Sequence, residues 1–122
     1  MTGGQLEITS EVLDTAVVVT VVGEVDNTNA DRLESAVGAA LGRAGLPEVA
    51  GRVAVDLVGV SFLGSAGLSA LVDANDLARE SGKSLRFVVN DHRPVLEPIQ
   101  LGGLNQLLVL CYSLADALRL EL

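Results

Sequence analysis

Ser65 is the residue best placed for chemistry. It is the only hydroxyl inside the turn Gly64-Ser65-Ala66-Gly67, where an apolar run ending in Phe62-Leu63 passes directly into a helical stripe. Glycines lack a Cβ, so Gly64 and Gly67 permit a tight turn and a close approach of helix to sheet. A serine at this point falls at the helix N-cap, and two roles fit it. It can cap the helix. It can also carry a phosphate of roughly −1.5 to −2 charges, which the free amides and dipole of a helix N-terminus favour. Ser61 lies before the turn and Ser69 a helical turn beyond it, so both are poorer acceptors.

The other reactive residue types form no catalytic set. The turn lacks the glycine spacing of a G-x-S-x-G nucleophile elbow. His92, the only histidine, stands beside Arg93-Pro94 and reads as a surface loop residue. Cys111, the only cysteine, reads as a small buried apolar residue. It cannot form an internal disulfide, and no Cys/His cluster has metal-ligand spacing. Walker and dinucleotide fingerprints are missing. These residues point to a binding module, with no enzyme activity, metal or cofactor expected.

The elements that hold the turn follow from hydrophobic period. The 122 residues suit one domain, 1–122, and nearly half are aliphatic, which can fill a core. Sixteen acidic residues against 8 basic ones give a net charge of −8, and aromatic residues are scarce. Such a chain repels phosphate backbones and anionic lipid, so neither nucleic acid nor membrane is an expected partner. The N-terminal stretch lacks a signal-peptide pattern and no apolar run reaches membrane-spanning length, so a reducing cytoplasm is the expected location.

Residues 5–12 alternate as a strand, with Leu6, Ile8 and Val12 facing one way. Ala16–Val25 is a β-branched run expected to be buried on both faces. Asp14-Thr15 between them predicts an antiparallel hairpin. Thr28 and Asp31 approximate a capping box. A first helix then carries Ala30, Leu33, Val37, Ala40, Leu41 and Ala44 as its buried stripe and ends at Gly45 and Pro47. Val53–Val60 is a third strand, Ser65 to about Ser81 a second helix and Leu85–Val89 a fourth strand. Pro94 starts a third helix, distorted at Pro98 and ended by Gly102-Gly103. Leu107–Leu110 is a last short strand, and Ser113 with Asp116 caps a terminal helix bearing Leu114, Ala117 and Leu118. This alternation predicts an α/β fold: a mixed, mostly parallel sheet of four to five strands, opened by a hairpin and joined by about four helices.

The second helix has two stripes. Gly67, Ala70, Leu71, Ala74, Leu77 and Ala78 form the predicted core side. Leu68 and Val72 share the neighbouring stripe with Ser65, Ser69, Asn75, Asp76 and Arg79. They form either a small docking patch with a polar rim or a contact with another helix. Asp26 is either a turn and capping residue or part of a partner surface with Glu24. Asp56 is expected to order its strand.

Taken in order, Gly23-Glu24-Val25-Asp26, Asp56-Leu57 through Gly67-Leu68, Gly102-Gly103-Leu104 and the finish from Ser113 to Leu118 resemble the STAS domain of bacterial anti-sigma-factor antagonists. The resemblance covers nearly the whole chain. It implies a module that binds an anti-sigma factor, often an ATP-dependent serine kinase, and so releases a sigma factor. The kinase would phosphorylate the turn serine, Ser65, and switch binding off, and a phosphatase would restore it. With the patch read from the second helix, the expected partner surface comprises Glu24, Asp26, Gly64, Ser65, Leu68, Ser69 and Val72. The best-known form of the turn reads Asp-Ser-Ser-Gly-Leu; here Gly64 stands for the aspartate and Ala66 for the second serine. That departure keeps open a STAS subunit without a phosphoswitch, in a lipid-trafficking ABC transporter or another signalling assembly.

Overall fold

The computed structural model describes residues 5–14, 16–44 and 51–119. In chain order its elements are β1 (Leu6–Leu13), β2 (Ala16–Val25), α1 (Ala30–Arg43), β3 (Arg52–Leu63), α2 (Ser65–Glu80), β4 (Ser84–Val88), α3 (Arg93–Leu101), β5 (Leu110–Cys111) and α4 (Leu114–Arg119), with a 3-10 turn at Leu104–Gln106 before β5. The sheet order is β1-β2-β3-β4-β5. β1 and β2 form the predicted antiparallel hairpin, closing at Leu13↔Ala16. β2, β3, β4 and β5 run parallel. Asp14 turns the hairpin with φ 51°. Thr15, Gly45 and Pro47, to which the sequence assigned turn and stop roles, lie outside the described residues.

Helices α1, α2 and α3 share one side of the sheet. Val17, Val19, Val21, Val55, Leu57, Leu85 and Phe87 meet Leu33, Val37, Leu71, Val95 and Ile99 there in the main core. On the other side α4 sets Ala117 and Leu114 against Ala54, Val88 and Cys111. Each central strand is thus apolar on both faces over part of its length, which is why Ala16–Val19 is buried without alternation. Arg52 ties this second layer down: its guanidinium donates to the Leu118 carbonyl at 2.7 Å and the Asp14 carbonyl at 3.3 Å. Beside it Arg86 is only 2% exposed. Burial lowers the Arg86 pKa and raises that of the Cys111 thiol, which stays protonated.

Every predicted stripe residue of α1 is buried. In α2 the stripe needs correction. Leu77 is 43% exposed, whereas Asn75, expected on the outer side, is buried. Leu77 leans toward α1, where its Cδ2 comes within 4.0 Å of a Cβ built on Gly38. The expected capping box is also absent: α1 begins at Ala30 after Asn29, with no side-chain cap bond, and Thr28 serves the preceding loop instead. Val12 is exposed, against the expectation that it would face inward with Leu6. The last strand is Leu110–Cys111, not Leu107–Leu110. The 3-10 turn takes up the chain before it, with Leu107 and Leu108 donating to the Leu104 carbonyl. Pro98 does sit inside α3, where it withholds the N–H that the Pro94 carbonyl would otherwise accept. The Ser113 hydroxyl accepts the Asp116 N–H at 3.0 Å, the predicted cap of α4.

The α1–α2 seam carries a carboxyl pair. A hydrogen bond to the Asp73 side chain raises the Glu34 carboxyl above its ordinary range, and some burial and the charges of Asp73 and Asp31 add to the effect. A raised folded-state pKa gives stability that is present at low pH and lost as pH rises through that pKa. Glu34→Gln keeps a neutral donor toward Asp73 at every pH. It should be more stable than the parent at pH 7, by less than about 1 kcal/mol as for exposed charge pairs, and the gap should close near pH 4. Urea melts at the two pH values check this.

Candidate functional site

The parallel pairing of β2 with β3 runs on to Val25↔Leu63, whereas β4 stops at its pairing of Val88 with Asp56. Beyond that level, among the described residues, β3 has no strand on its β4 side. The Val60 carbonyl on this stretch contacts His92 Nε2 at 2.6 Å. A carbonyl only accepts, so Nε2 must carry the proton. His92 therefore holds a strand end and precedes α3. It is half-buried rather than the free surface loop residue that the sequence suggested.

At the tip of β3 the Gly64 N–H donates to the Val25 carbonyl at 3.0 Å, and the Gly64 carbonyl accepts the Leu68 N–H at 3.0 Å. The N-cap of α2 is thus Gly64, and Ser65 is the first helical residue. This corrects the sequence placement of Ser65 at the N-cap: its hydroxyl is exposed and makes no capping bond. The bond from Gly64 sets the α2 turn directly beside the loop that leaves β2. Gly67 makes that approach possible, since a Cβ there would lie 2.6 Å from Leu63 Cδ1 and 2.9 Å from Val25 Cγ1.

The β2–α1 loop is held from within. The Asp26 carboxylate accepts the Thr28 N–H at 2.9 Å and the Thr28 hydroxyl at 2.6 Å. These bonds, the hydroxyl first, hold the Asp26 pKa below the usual range. The Asn29 side chain, only 4% exposed, points back into the loop. Its Oδ1 accepts the Asp26 N–H at 2.9 Å and its Nδ2 donates to the Glu24 carbonyl at 2.9 Å. Asp26 and Asn29 together fix the loop facing Ser65.

The remaining predicted site residues fall around this centre. Glu24 is exposed at the end of β2 and pairs in register with Phe62. Ser69 is exposed one turn along α2; Leu68 and Val72 are half-buried, and Leu68 packs against the main core. Phe62 is a neighbour of the candidate turn that sequence reasoning missed. It is 51% exposed, and a Cβ built on Gly64 would lie 3.1 Å from its ring. The ring occupies the space that a larger residue at position 64 would need. The signal was one of the chain's few aromatics, two residues before the turn.

A family profile described as Mlab, STAS domain matches residues 8–110. The structure of an anti-sigma factor antagonist from Mycobacterium paratuberculosis matches with a TM-score of 0.79 at 30% identity, covering 93% of this chain and 92% of that one. The chain belongs to the STAS family. Its fold is also that of the anti-sigma factor antagonist SpoIIAA in its unphosphorylated form (TM-score 0.66, 17% identity, 96% of each chain). The Bacillus cell fate determinant SpoIIAA in the phosphorylated form matches at a TM-score of 0.60 and 16% identity, over 98% of this chain and 100% of that one. A comparison with curated proteins found no match. Among the described residues of this STAS chain, no helix is long and apolar enough to cross a membrane.

The loop bracket yields a direct test. Asn29→Ala strips partners from the Asp26 N–H and the Glu24 carbonyl, and a buried polar group left unpaired costs about 1–3 kcal/mol. Denaturant melts should show an unfolding free energy lowered by that amount, with a correspondingly lower midpoint. Amide exchange at Asp26 should speed up in the same variant.

Proposed function

We propose that this STAS chain is an anti-sigma-factor antagonist that docks on an anti-sigma factor of the serine-kinase type and is switched off by phosphorylation of Ser65. The observation that carries this reading is the placement of Ser65: an exposed hydroxyl on the first residue of α2, beside the fixed Asp26 loop. The first bond of α2 is from Leu68 to Gly64, so the amides of the first turn lie outside the helical ladder and a phosphate gains from them. The docking face takes in Glu24, Asp26, Gly64, Ser65, Leu68, Ser69 and Val72. A phosphatase acting on phosphoserine would reset it. The setting is cytoplasmic, where kinase, sigma factor and ATP meet.

A second reading rests on the turn itself. Gly64 and Ala66 stand where the best-known turn has aspartate and serine, which suits a STAS subunit that docks without a phosphoswitch, in a lipid-trafficking ABC transporter or another signalling assembly.

Incubation with the cognate kinase and ATP should add one phosphate, mapped by phosphopeptide analysis to Ser65. Modification confined to Ser61 or Ser69, or none at all, favours the second reading. Calorimetry should then show that Ser65→Ala binds the unphosphorylated chain's partner nearly as well as the parent does, and that Ser65→Glu binds more weakly. A packed contact tolerates loss of a hydroxyl better than an unpaired carboxylate.

The α2 face separates docking from folding. Val72 is half-buried and Leu71 is fully buried. Val72→Glu should abolish capture of the partner while costing about 1 kcal/mol of stability. Leu71→Glu should unfold the chain, because an unpaired buried charge costs several kcal/mol. Urea melts paired with pull-downs decide it, and a stable Val72→Glu chain that binds normally would move the docking face off α2.

A further inference from the structure

The side of the sheet opposite α1–α3 is covered by α4 only over β3, β4 and β5. The part formed by β1, β2 and the far end of β3 carries no helix among the described residues. Register assigns its side chains. Glu7 pairs with Val22 and Thr9 with Thr20, while Val19, Val21 and Val25 between and beyond them enter the main core on the other side.

Two register shifts then turn β3 outward. Thr20 pairs with Asp56 but Val22 with Gly59, and Gly23 pairs with Val60 but Glu24 with Phe62. Each shift inserts one extra β3 residue, as a bulge does. Val58-Gly59 and Ser61-Phe62 are accordingly exposed, between the buried Leu57, Val60 and Leu63. The Asp56 carboxylate accepts the Val58 N–H at 3.0 Å and fixes the first bulge. Val22, Val58 and Phe62 are left 45%, 36% and 51% exposed on one face, with the carboxylates of Glu7, Glu24 and Asp56 on the same side.

We infer that this open sheet face is a second docking surface, for a protein segment that presents lysine or arginine beside aliphatic side chains, such as a basic amphipathic helix. Charge complementarity selects that occupant: three carboxylates flank the apolar strip, and these register positions include no lysine or arginine. A second copy of this chain is disfavoured, since a two-fold contact would set the same carboxylates against each other. The chain's net charge of −8 opposes nucleic acid and anionic lipid in the same way. The face is also continuous with the α2 turn through the Phe62 ring beside Gly64. It goes beyond the Ser65 reading and needs no phosphorylation.

The test is an amide-shift titration of the isotopically labelled chain with a designed helical peptide of leucines and lysines, at low salt. Shifts should centre on β1, β2 and residues 58–64. The double variant Glu7→Gln/Glu24→Gln, which alters only exposed groups, should bind about 10-fold more weakly, as should the parent in high salt. Val22→Thr should weaken binding at either salt concentration. Three results each overturn the inference: shifts confined to the acidic α1–α2 seam, equal binding of the peptide with glutamate in place of lysine, or unchanged affinity in the variants. Sedimentation showing a dimer of the free chain that Val22→Lys dissociates would assign the face to a second copy and overturn it too.

Discussion

β3 is twelve residues long and β4 five, and the two pair only from Arg52↔Ser84 to Asp56↔Val88. Past that point one edge of β3 has no strand among the described residues, and its backbone groups still require partners. His92 answers part of this requirement, and pairing with β2 on the other edge sets the rest of the candidate site. The His92 ring takes the Val60 carbonyl. The two bulges let β3 follow β2 to Val25↔Leu63 while placing Leu57, Val60 and Leu63 inward. The Gly64 N–H then returns to Val25 and starts α2 in the one position where Gly67 can pass over Leu63 and Val25. A shift of one residue in this register would move Leu63 outward and carry the Ser65 turn away from the Asp26 loop.

The loop opposite solves a similar problem with side chains. Between β2 and α1 the chain has no ladder, so Asn29 supplies both a donor and an acceptor to backbone groups of Glu24 and Asp26. Its burial makes those bonds worth more than exposed ones, because the alternative to each is an unpaired polar group. Asp26 is exposed to solvent on its carboxylate side, and its bonds to Thr28 shape the surface more than they stabilise the fold. The two residues divide the work: Asn29 anchors and Asp26 presents.

Where burial alone sets the period, the sequence was readable. The α1 stripe from Ala30 to Ala44, the two-sided burial of Ala16–Val19 and the Ser113 cap all follow from local pattern, and so did the family resemblance. Burial on both faces does not extend over the rest of Ala16–Val25 as expected: no described helix covers the outer face there, and Val22 is exposed. The misreadings have tertiary causes. The apolar run from Leu107 to Leu110 fits a strand or a tight turn equally well, and the shortness of β5 decided it. Leu77 and Asn75 exchange roles because α2 leans on α1 along one flank, which no single-helix period encodes. Bulges leave no periodic trace, so the outward turn of Val58 and Phe62 was invisible. Thr28 looked like a helix cap because caps and loop brackets draw on the same residue types.

The charge pattern constrains how a Ser65 switch can work. Glu7, Glu24 and Asp26 already make this end of the molecule negative, so a partner complementary to it would bring positive charge. A phosphate on Ser65 would increase the long-range attraction for such a partner. If phosphorylation releases the partner, as proposed, the loss of binding has to arise at contact. Ser65 shares its face of α2 with half-buried Leu68 and Val72, where a phosphate covered by a partner would have to give up water. The expected signature is kinetic: modification leaves the association rate at low salt nearly intact and speeds dissociation.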